Sequence, residues 1–320
     1  MTLTELRYII AVARDRHFGH AAKRCFVSQP TLSLGIKKLE QELGVALFER
    51  GSREVIITPE GNKIVEQAKK VMSEINAIKD IASYHRPLTR SPLRIGAIHT
   101  VGPYLFPSLL PVIRDLRPGL PMLIEENYTT ALTERLHNGE IDMAIVSLPY
   151  EEQGLDSLAL YDEPFVALLP SSHTLTAYNE LSLKRLAQET VLLLGPQHCF
   201  RDQVLEICPD CIQSVAKDDS LQNTLEGSSL ETIRYMVASG VGVTIIPAMA
   251  ACAEKYSQRL VAIRRFNNSR AHRRIALVWR RGFPRTELIE LLVTAIHACG
   301  LSGIHILGNE EPAPENLSLA

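Results

Sequence analysis

The 320-residue chain contains no apolar run of about 18 residues, so it offers no transmembrane helix. Its opening, MTLTELRYII, holds a glutamate and no basic stretch ahead of the apolar positions, and no export signal is expected. Both absences point to the cytoplasm, where thiols are kept reduced and disulfides tend to be transient or catalytic. No internal repeat and no low-complexity block occurs. A strong excess of either charge is also missing: 34 Lys+Arg face 36 Asp+Glu, a net charge of -2. A nucleic-acid binder with that balance must confine its basic footprint to one module. Residues 1–60 hold nine Lys+Arg against seven Asp+Glu, a net of +2, which leaves -4 for the remainder. Hydrophobic residues make up 46% and charged residues 22%, ordinary globular proportions, and the length suits two or three domains.

Leu3, Leu6, Ile10 and Ala13 recur at helical spacing, and a second short helix fits HAAKRCF. In VSQPTLSLGIKKLEQELG, Ser28 is a fitting N-cap, and Pro30 sits in the first turn, where its missing donor costs nothing. Leu32, Ile36, Leu39 and Leu43 make the apolar stripe, and Gly44 ends the helix. Two short extended runs around Gly51-Ser52 predict a hairpin. Three helices and a hairpin make a winged helix-turn-helix, whose second motif helix enters the major groove by its first residues. Those residues are Gln29, Pro30, Thr31 and Ser33. Gln pairs bidentately with adenine, and Ser and Thr bond to bases or phosphates. Lys37 and Lys38 suit phosphates, and Arg50 and Arg53 bracket the wing tip.

Thr58 and Pro59 open a helix running to about Tyr84. Its apolar positions Ile64, Ala68, Val71, Ile75, Ile78 and Ala82 are spaced 4, 3, 4, 3 and 4 apart, an a/d heptad pattern. Pairing with a second copy is the expectation; packing on its own domain's core is the alternative. HRPLTRSP (85–92) is a linker. Beyond it strands alternate with helices: LRIGAI, PMLIEEN, IDMAIVS, PFVALLP, TVLLLG, VGVTIIP and RRIALVW read as strands. The alternation predicts parallel sheets with crossover helices, arranged in two lobes. The tail from Leu301 has no period and is expected to be mobile.

The N-terminal segment ELRYIIAVARDRHFGHAAKRCFVSQPTLSLGIKKLEQELGVALFER…ITPEG resembles the LysR-type transcriptional regulators. The remainder resembles that family's effector domain. TVGPYLFP, HCFRDQ, SLETIRYMVASGVGVTIIPA and RRIALVWRRG resemble its peroxide-sensing OxyR branch. The fold class implied is α/β: a winged helix-turn-helix with a long linker helix, then a two-lobed regulatory domain similar to periplasmic binding proteins. The expected divisions are 1–60 for DNA binding and 61–90 for the linker helix and hinge. Residues 91–165 with 268–300 form lobe I, 166–267 form lobe II with the redox cysteines, and 301–320 are the tail. The resemblance further implies a homodimer or homotetramer reading inverted half-sites of double-stranded DNA. RNA polymerase is an expected partner, and no membrane is.

Three of the six cysteines fall within QHCFRDQVLEICPDC, residues 197–211. A zinc site from His198, Cys199, Cys208 and Cys211 is disfavoured, because an adjacent His-Cys pair diverges and only one end has ligand spacing. A reactive thiolate needs a helix N-terminus or nearby cations. Cys199 stands just before FRDQVLEI, a predicted helix start, with His198 and Arg201 as local positive charge. The resemblance implies that Cys199 reacts with hydrogen peroxide and Cys208 resolves the sulfenic acid. If residues 199–208 were fully helical, the two Cα atoms, nine positions apart, would lie about 13 Å from each other. A disulfide needs less than about 7 Å, so bridging would have to unwind the segment. Where this branch has glycine before His-Cys, Gln197 stands here, and Cys211 is an extra thiol that could compete as resolver. Cys25, Cys252 and Cys299 lie on apolar stretches and read as buried and inert.

Thr100 and Thr129 follow strands, at the carboxyl ends where open α/β sheets bind ligands. Hydroxyls that both donate and accept suit a small neutral peroxide. The resemblance implies these two threonines in peroxide binding, with His198 beside them. Arg273 is the expected polarising arginine, although Arg274 is adjacent, and Asp202 could hold His198 or cap the helix. No metal or other cofactor is expected. Two alternatives stand beside a peroxide-sensing regulator: a regulator responding to a small organic effector held between the lobes, and a thiol peroxidase. The peroxidase has no need of a helix-turn-helix, and an enzyme is not expected.

Overall fold

The computed structural model describes residues 1–50, 55–84, 92–211, 229–252 and 260–307. The chain divides into two compact units: Met1–His85 with His137–Glu140 and Gly282–Pro284, and the remainder.

The first unit opens with α1 (Leu3–Asp15), α2 (Phe18–Arg24) and α3 (Gln29–Leu43). Each has a polar start that satisfies backbone donors the helix itself leaves open. Thr2 and Glu5 form a reciprocal capping box on α1, and the His17 ring accepts from the amides of Gly19 and His20. Ser28 Oγ accepts from the Thr31 amide, and Gly44 closes α3 in the left-handed region at φ 72°. Strands β1 (Phe48–Arg50) and β2 (Val55–Ile57) pair antiparallel, as the sequence predicts; the turn between them, with Arg53, lies outside the described residues. Leu6, Ile9, Val12, Ala21, Leu32, Ile36, Leu39 and Leu47 form the core. Helix α4 (Pro59–Tyr84) starts where Thr58 Oγ1 accepts from the Gly61 amide and donates to the Ala46 carbonyl. A Cβ at Gly61 would press on the Leu47 carbonyl, so glycine permits this close approach.

The heptad stripe of α4 divides in two. Ala68 is buried in this unit's own core, and Ile64 and Val71 pack against it together with buried Val65. Further along, Ile78 is 66% exposed. The expectation of a seam reserved for a second copy is thereby corrected for its first half: α1 already covers it.

In the second unit, β3 (Leu93–Ile98) pairs in parallel with β4 (Met122–Asn127) and β5 (Met143–Ser147). Helices α5 (Gly102–Leu116) and α6 (Thr129–His137) supply the crossovers. The long strand β6 (Leu155–Pro170) then breaks the expected parallel pattern. Its first half pairs antiparallel with β11 (His272–Arg280), and β11 pairs antiparallel with β5. Its second half pairs antiparallel with β9 (Val243–Pro247) and β10 (Val261–Phe266). Among the described residues, only β8 (Val191–Leu192) with β9, and β7 (Glu180–Leu181) with β10, add parallel pairs there. The sheets are therefore mixed, because one strand runs through both and carries the chain from one to the other. Helices α7 (Leu183–Leu186), α8 (Cys199–Ile207), α9 (Leu230–Ala238), α10 (Ala248–Cys252) and α11 (Thr286–Ala298) complete the unit.

The start of the tail is ordered, contrary to expectation. His305–Ile306 forms β12, paired antiparallel with Asp162 and Tyr161 of β6, and Leu307 is buried. Backbone pairing and one apolar anchor suffice for a segment that has no period in its sequence. Residues beyond 307 lie outside the described residues.

Candidate functional site

The carboxyl ends of β3 and β4 bring the expected threonines to one edge of the sheet. Thr100 is buried, and Thr129 is half-buried at the start of α6. Arg273, on β11, reaches Thr100 twice: Nη1 donates to Oγ1 at 2.7 Å and Nη2 to the carbonyl at 2.9 Å. The charge of Arg273 is balanced by Glu163 on β6, which accepts from Nε at 2.9 Å and lies 2.8 Å from Nη2. Both side chains are 0% exposed. The other Glu163 oxygen accepts from the Met249 amide at 2.9 Å, in the first turn of α10. A buried ion pair holds only when its remaining donors and acceptors are satisfied, and here three elements satisfy them. Arg274 is separated from Arg273 by the strand's alternation. It donates to both oxygens of Asp162 at 2.7 and 2.8 Å, outside the Thr100 cluster.

Helix α8 carries the thiols. Cys199 is its first residue, half-buried and unbonded, and His198 is the N-cap. The His198 ring packs edge-on against Tyr128 at 5.0 Å and faces His99 at 5.9 Å. His99 and Tyr128 are the chain neighbours of Thr100 and Thr129. Burial, and then His99, push the His198 pKa below its ordinary value, so the ring is neutral at pH 7. The positive charge expected of His198 is therefore corrected: desolvation disfavours the imidazolium. Arg201 Nη1 donates to the Leu194 carbonyl at 2.8 Å. Asp202 is exposed in the first turn of α8, where a carboxylate suits the helix dipole, and among the described residues no hydrogen bond joins it to His198.

Two buried side chains fix α8 in place. Phe200 is 2% exposed, meets Phe165 edge-on at 5.1 Å, and lies under the Arg273 guanidinium at 5.4 Å. Val204 is 1% exposed. Gln203 Nε2 donates to Ser147 Oγ at 2.8 Å and to the Leu148 carbonyl at 3.3 Å, tying the helix to the end of β5. Residues on both sides of Cys199 thus rest on the Thr100–Arg273 edge. Cys208 is the C-cap, with its amide bonded to the Val204 carbonyl. Cys208 and Cys211 are both buried and joined by a disulfide, with Cα atoms 5.6 Å apart. Cys299 is half-buried, donates to the Ala295 carbonyl, and has its thiol pushed up to about 11 by burial. Burial likewise raises Cys25, which suits inert thiols. The side chain of Cys252 lies outside the described residues.

In the first unit, Gln29, Pro30, Thr31 and Lys37 are exposed along α3, and Ser33 is half-buried. The Thr31 hydroxyl lies 2.8 Å from that of Ser28, so it takes part in the cap. Lys38 is drawn to Glu5 at 3.5 Å, which leaves it less suited to phosphate than the sequence implied. The side chain of Arg50 lies outside the described residues.

Residues 3–62 match the bacterial regulatory helix-turn-helix of the lysR family, and residues 87–299 match the LysR substrate binding domain. The chain is 38% identical over 298 residues to the DNA-binding transcriptional dual regulator OxyR of Escherichia coli, covering 93% of this chain and 95% of that protein. The chain belongs to the LysR family, in its OxyR branch. Full-length OxyR from Pseudomonas aeruginosa, as a cysteine-to-aspartate variant, is 44% identical with a TM-score of 0.66, covering 98% of this chain and 99% of that one. A hydrogen-peroxide-bound cysteine-to-serine variant of Corynebacterium glutamicum OxyR is 33% identical with a TM-score of 0.59, covering 93% and 92%.

For this OxyR-branch chain, the sequence reading missed four residues that build the site: Glu163, His99, Tyr128 and Gln203. His99 and Tyr128 were findable as the neighbours of the two threonines. Gln203 stood inside HCFRDQ without a role. Glu163 carried no local signal, since its partner is 110 positions away.

Glu163→Ala should cost about 3–5 kcal/mol, because it strands a buried guanidinium. Urea unfolding of the full chain measures this. A Glu163→Leu, Arg273→Met double variant should lose less than either single variant; an additive loss would contradict the pairing. His198 supplies a pH dependence. Its folded pKa lies below the unfolded value of about 6.5, so as pH falls through 6.5 the unfolded chain takes up the proton first. Stability contributed by neutral His198 is present above that pH and lost below it. His198→Asn should flatten the fall in Tm between about pH 7 and pH 5.

Proposed function

We propose that this protein is a cytoplasmic transcriptional regulator that senses hydrogen peroxide through Cys199, with Cys208 as the resolving thiol. The observation that carries the reading is the placement of Cys199 at the start of α8, between His198, packed on His99 and Tyr128 beside the two threonines, and Phe200, packed under Arg273. That edge suits a small neutral oxidant. The Arg273 charge is already balanced by Glu163, so an organic anion would find no uncompensated cation there. This favours peroxide over an organic effector. Two relatives add support: OxyR of Escherichia coli is named a DNA-binding transcriptional dual regulator, and the Corynebacterium glutamicum variant binds hydrogen peroxide.

The chemistry is set by these residues. Neutral His198 and the hydroxyls of Thr100 and Thr129 orient peroxide. Arg273, through Thr100, polarises the oxygen that leaves. The Cys199 thiolate attacks the other oxygen, and a sulfenic acid forms. Capture by Cys208 requires α8 to unwind, since an intact nine-residue helix holds the Cα atoms about 13 Å apart. Unseating Phe200 and Val204 costs about 1.5–3 kcal/mol each. Covalent bond formation opposes that cost, and the refolded segment is the signal. Gln29, Thr31 and Ser33 read bases, with Pro30 in the same first turn; Lys37 holds phosphate, and Arg50 and Arg53 enter a minor groove or hold a phosphate. The exposed Ile78 on α4 supports a homodimer or homotetramer on inverted half-sites, with RNA polymerase as the downstream partner.

A footprint on target DNA, with and without peroxide, tests the reading. Peroxide should change the wild-type footprint and leave that of Cys199→Ser unchanged. A Cys199→Ser protein that still responds to peroxide would overturn it. Response to a small organic acid alone would favour the effector alternative.

A further inference from the structure

The Cys208–Cys211 disulfide has no part in the mechanism above, and it occupies the thiol assigned to resolve Cys199. We infer that Cys211 is a second exchange thiol: after Cys208 has captured oxidised Cys199, Cys211 attacks Cys208 and moves the bridge to Cys208–Cys211. The inference rests on the peroxide reading and concerns the fate of the first bridge.

The two possible bridges make opposite demands on the fold. Cys199–Cys208 requires α8 to unwind, because disulfide geometry needs Cα atoms within about 7 Å and the helix holds them about 13 Å apart. Cys208–Cys211 is formed with α8 intact: its Cα atoms are 5.6 Å apart, Phe200 and Val204 are seated, and Gln203 holds Ser147. Exchange from the first bridge to the second therefore releases the helix to refold. The Cys211 amide bonds to the Cys208 carbonyl at 3.1 Å, so the attacking thiol is held on the turn that succeeds α8. Access divides the roles further. Cys208 is 3% exposed and Cys211 0%, whereas Cys199 is half-exposed. Oxidising equivalents enter at Cys199 and reach the buried pair by exchange.

The steps balance on one peroxide. The Cys199 thiolate attacks one peroxide oxygen, the O–O bond breaks, and hydroxide leaves and takes up a proton. The Cys208 thiolate attacks the sulfenic sulfur, the S–O bond breaks, and a second water forms. The Cys211 thiolate then attacks the Cys208 sulfur, the Cys199–Cys208 bond breaks, and Cys199 departs as thiolate. No further oxidant is consumed: two electrons have passed to peroxide, and the oxidised pair is Cys208 with Cys211. Cys199 is again a thiol, with no free partner to capture its next sulfenic acid. The exchange ends the signal without an external reductant and leaves the sensor unable to form Cys199–Cys208 until Cys208–Cys211 is reduced.

A quenched time course tests this. Fully reduced full-length protein receives one equivalent of hydrogen peroxide, is alkylated at intervals, and is mapped by peptide mass spectrometry without added reductant. In wild type, the Cys199–Cys208 peptide should rise first and then give way to Cys208–Cys211, with Cys199 becoming alkylatable again. In Cys211→Ser, the Cys199–Cys208 bridge should persist at least about ten-fold longer. In Cys199→Ser, Cys208–Cys211 should not form on that timescale. A wild-type protein that keeps Cys199–Cys208 as its end product with Cys211 alkylatable would overturn the inference, and this requires no variant to fold. Equally fast formation of Cys208–Cys211 in Cys199→Ser would also overturn it, by showing direct oxidation. If Cys199 stays alkylatable throughout and no bridge forms, the peroxide reading itself fails along with it.

Discussion

The regulatory unit depends on one buried ion pair. Arg273 and Glu163 face each other across β11 and β6 at a point no solvent reaches, where β6 passes from one sheet to the other. Taking two charges out of water costs several kcal/mol per ion, and it is tolerated only because each remaining polar atom is engaged. Glu163 takes the α10 amide, and Arg273 takes both oxygens of Thr100 at the end of β3. One interaction thereby fixes the crossing strand, the first helix after β9, and the Thr100 hydroxyl at the end of β3. It also settles the electrostatics of the site, because the arginine arrives there already neutralised.

Against that fixed edge, α8 is the part that can give way. It is nine residues long, starts at a thiol, is capped by a second thiol at Cys208, and is held by Phe200, Val204 and the Gln203 hydrogen bonds. A helix of that length has little stability of its own and depends on its packing. In the proposed mechanism, chemistry at Cys199 acts on a marginal element against a rigid one, which is what a switch requires. The exchange inferred for Cys211 would add a second outcome for the same oxidising equivalents, one compatible with the helix.

Much of this was legible in the sequence where the signal is local. Ser28, Gly44, Thr58 and Pro59 mark helix ends through their own backbone chemistry, and the structure places caps at those points. Thr100 and the start of α8 were readable from strand-helix alternation. What escaped was nonlocal or negative. The first half of β6 is polar at several positions on both faces, and its Glu163 is buried by pairing with Arg273, so only PFVALLP stood out. Its antiparallel course depends on β11, more than a hundred residues later. Glu163 lies in an ordinary DEP run. The first half of the α4 stripe looked free for a partner because periodicity shows a face and not what covers it. The charge on His198 was misjudged because burial by Tyr128 and His99 has no trace in neighbouring residues.

The central claim is that oxidation at Cys199 unwinds α8. Amide hydrogen exchange across Cys199–Ile207 tests it most directly, on a Cys211→Ser protein so that the bridge stays at Cys199–Cys208. After one equivalent of peroxide, amides of that segment should exchange about a hundred-fold faster or more, while those of β5 and β11 keep their protection. Unchanged protection of the helix in protein shown by mass to carry the Cys199–Cys208 bridge would contradict the account.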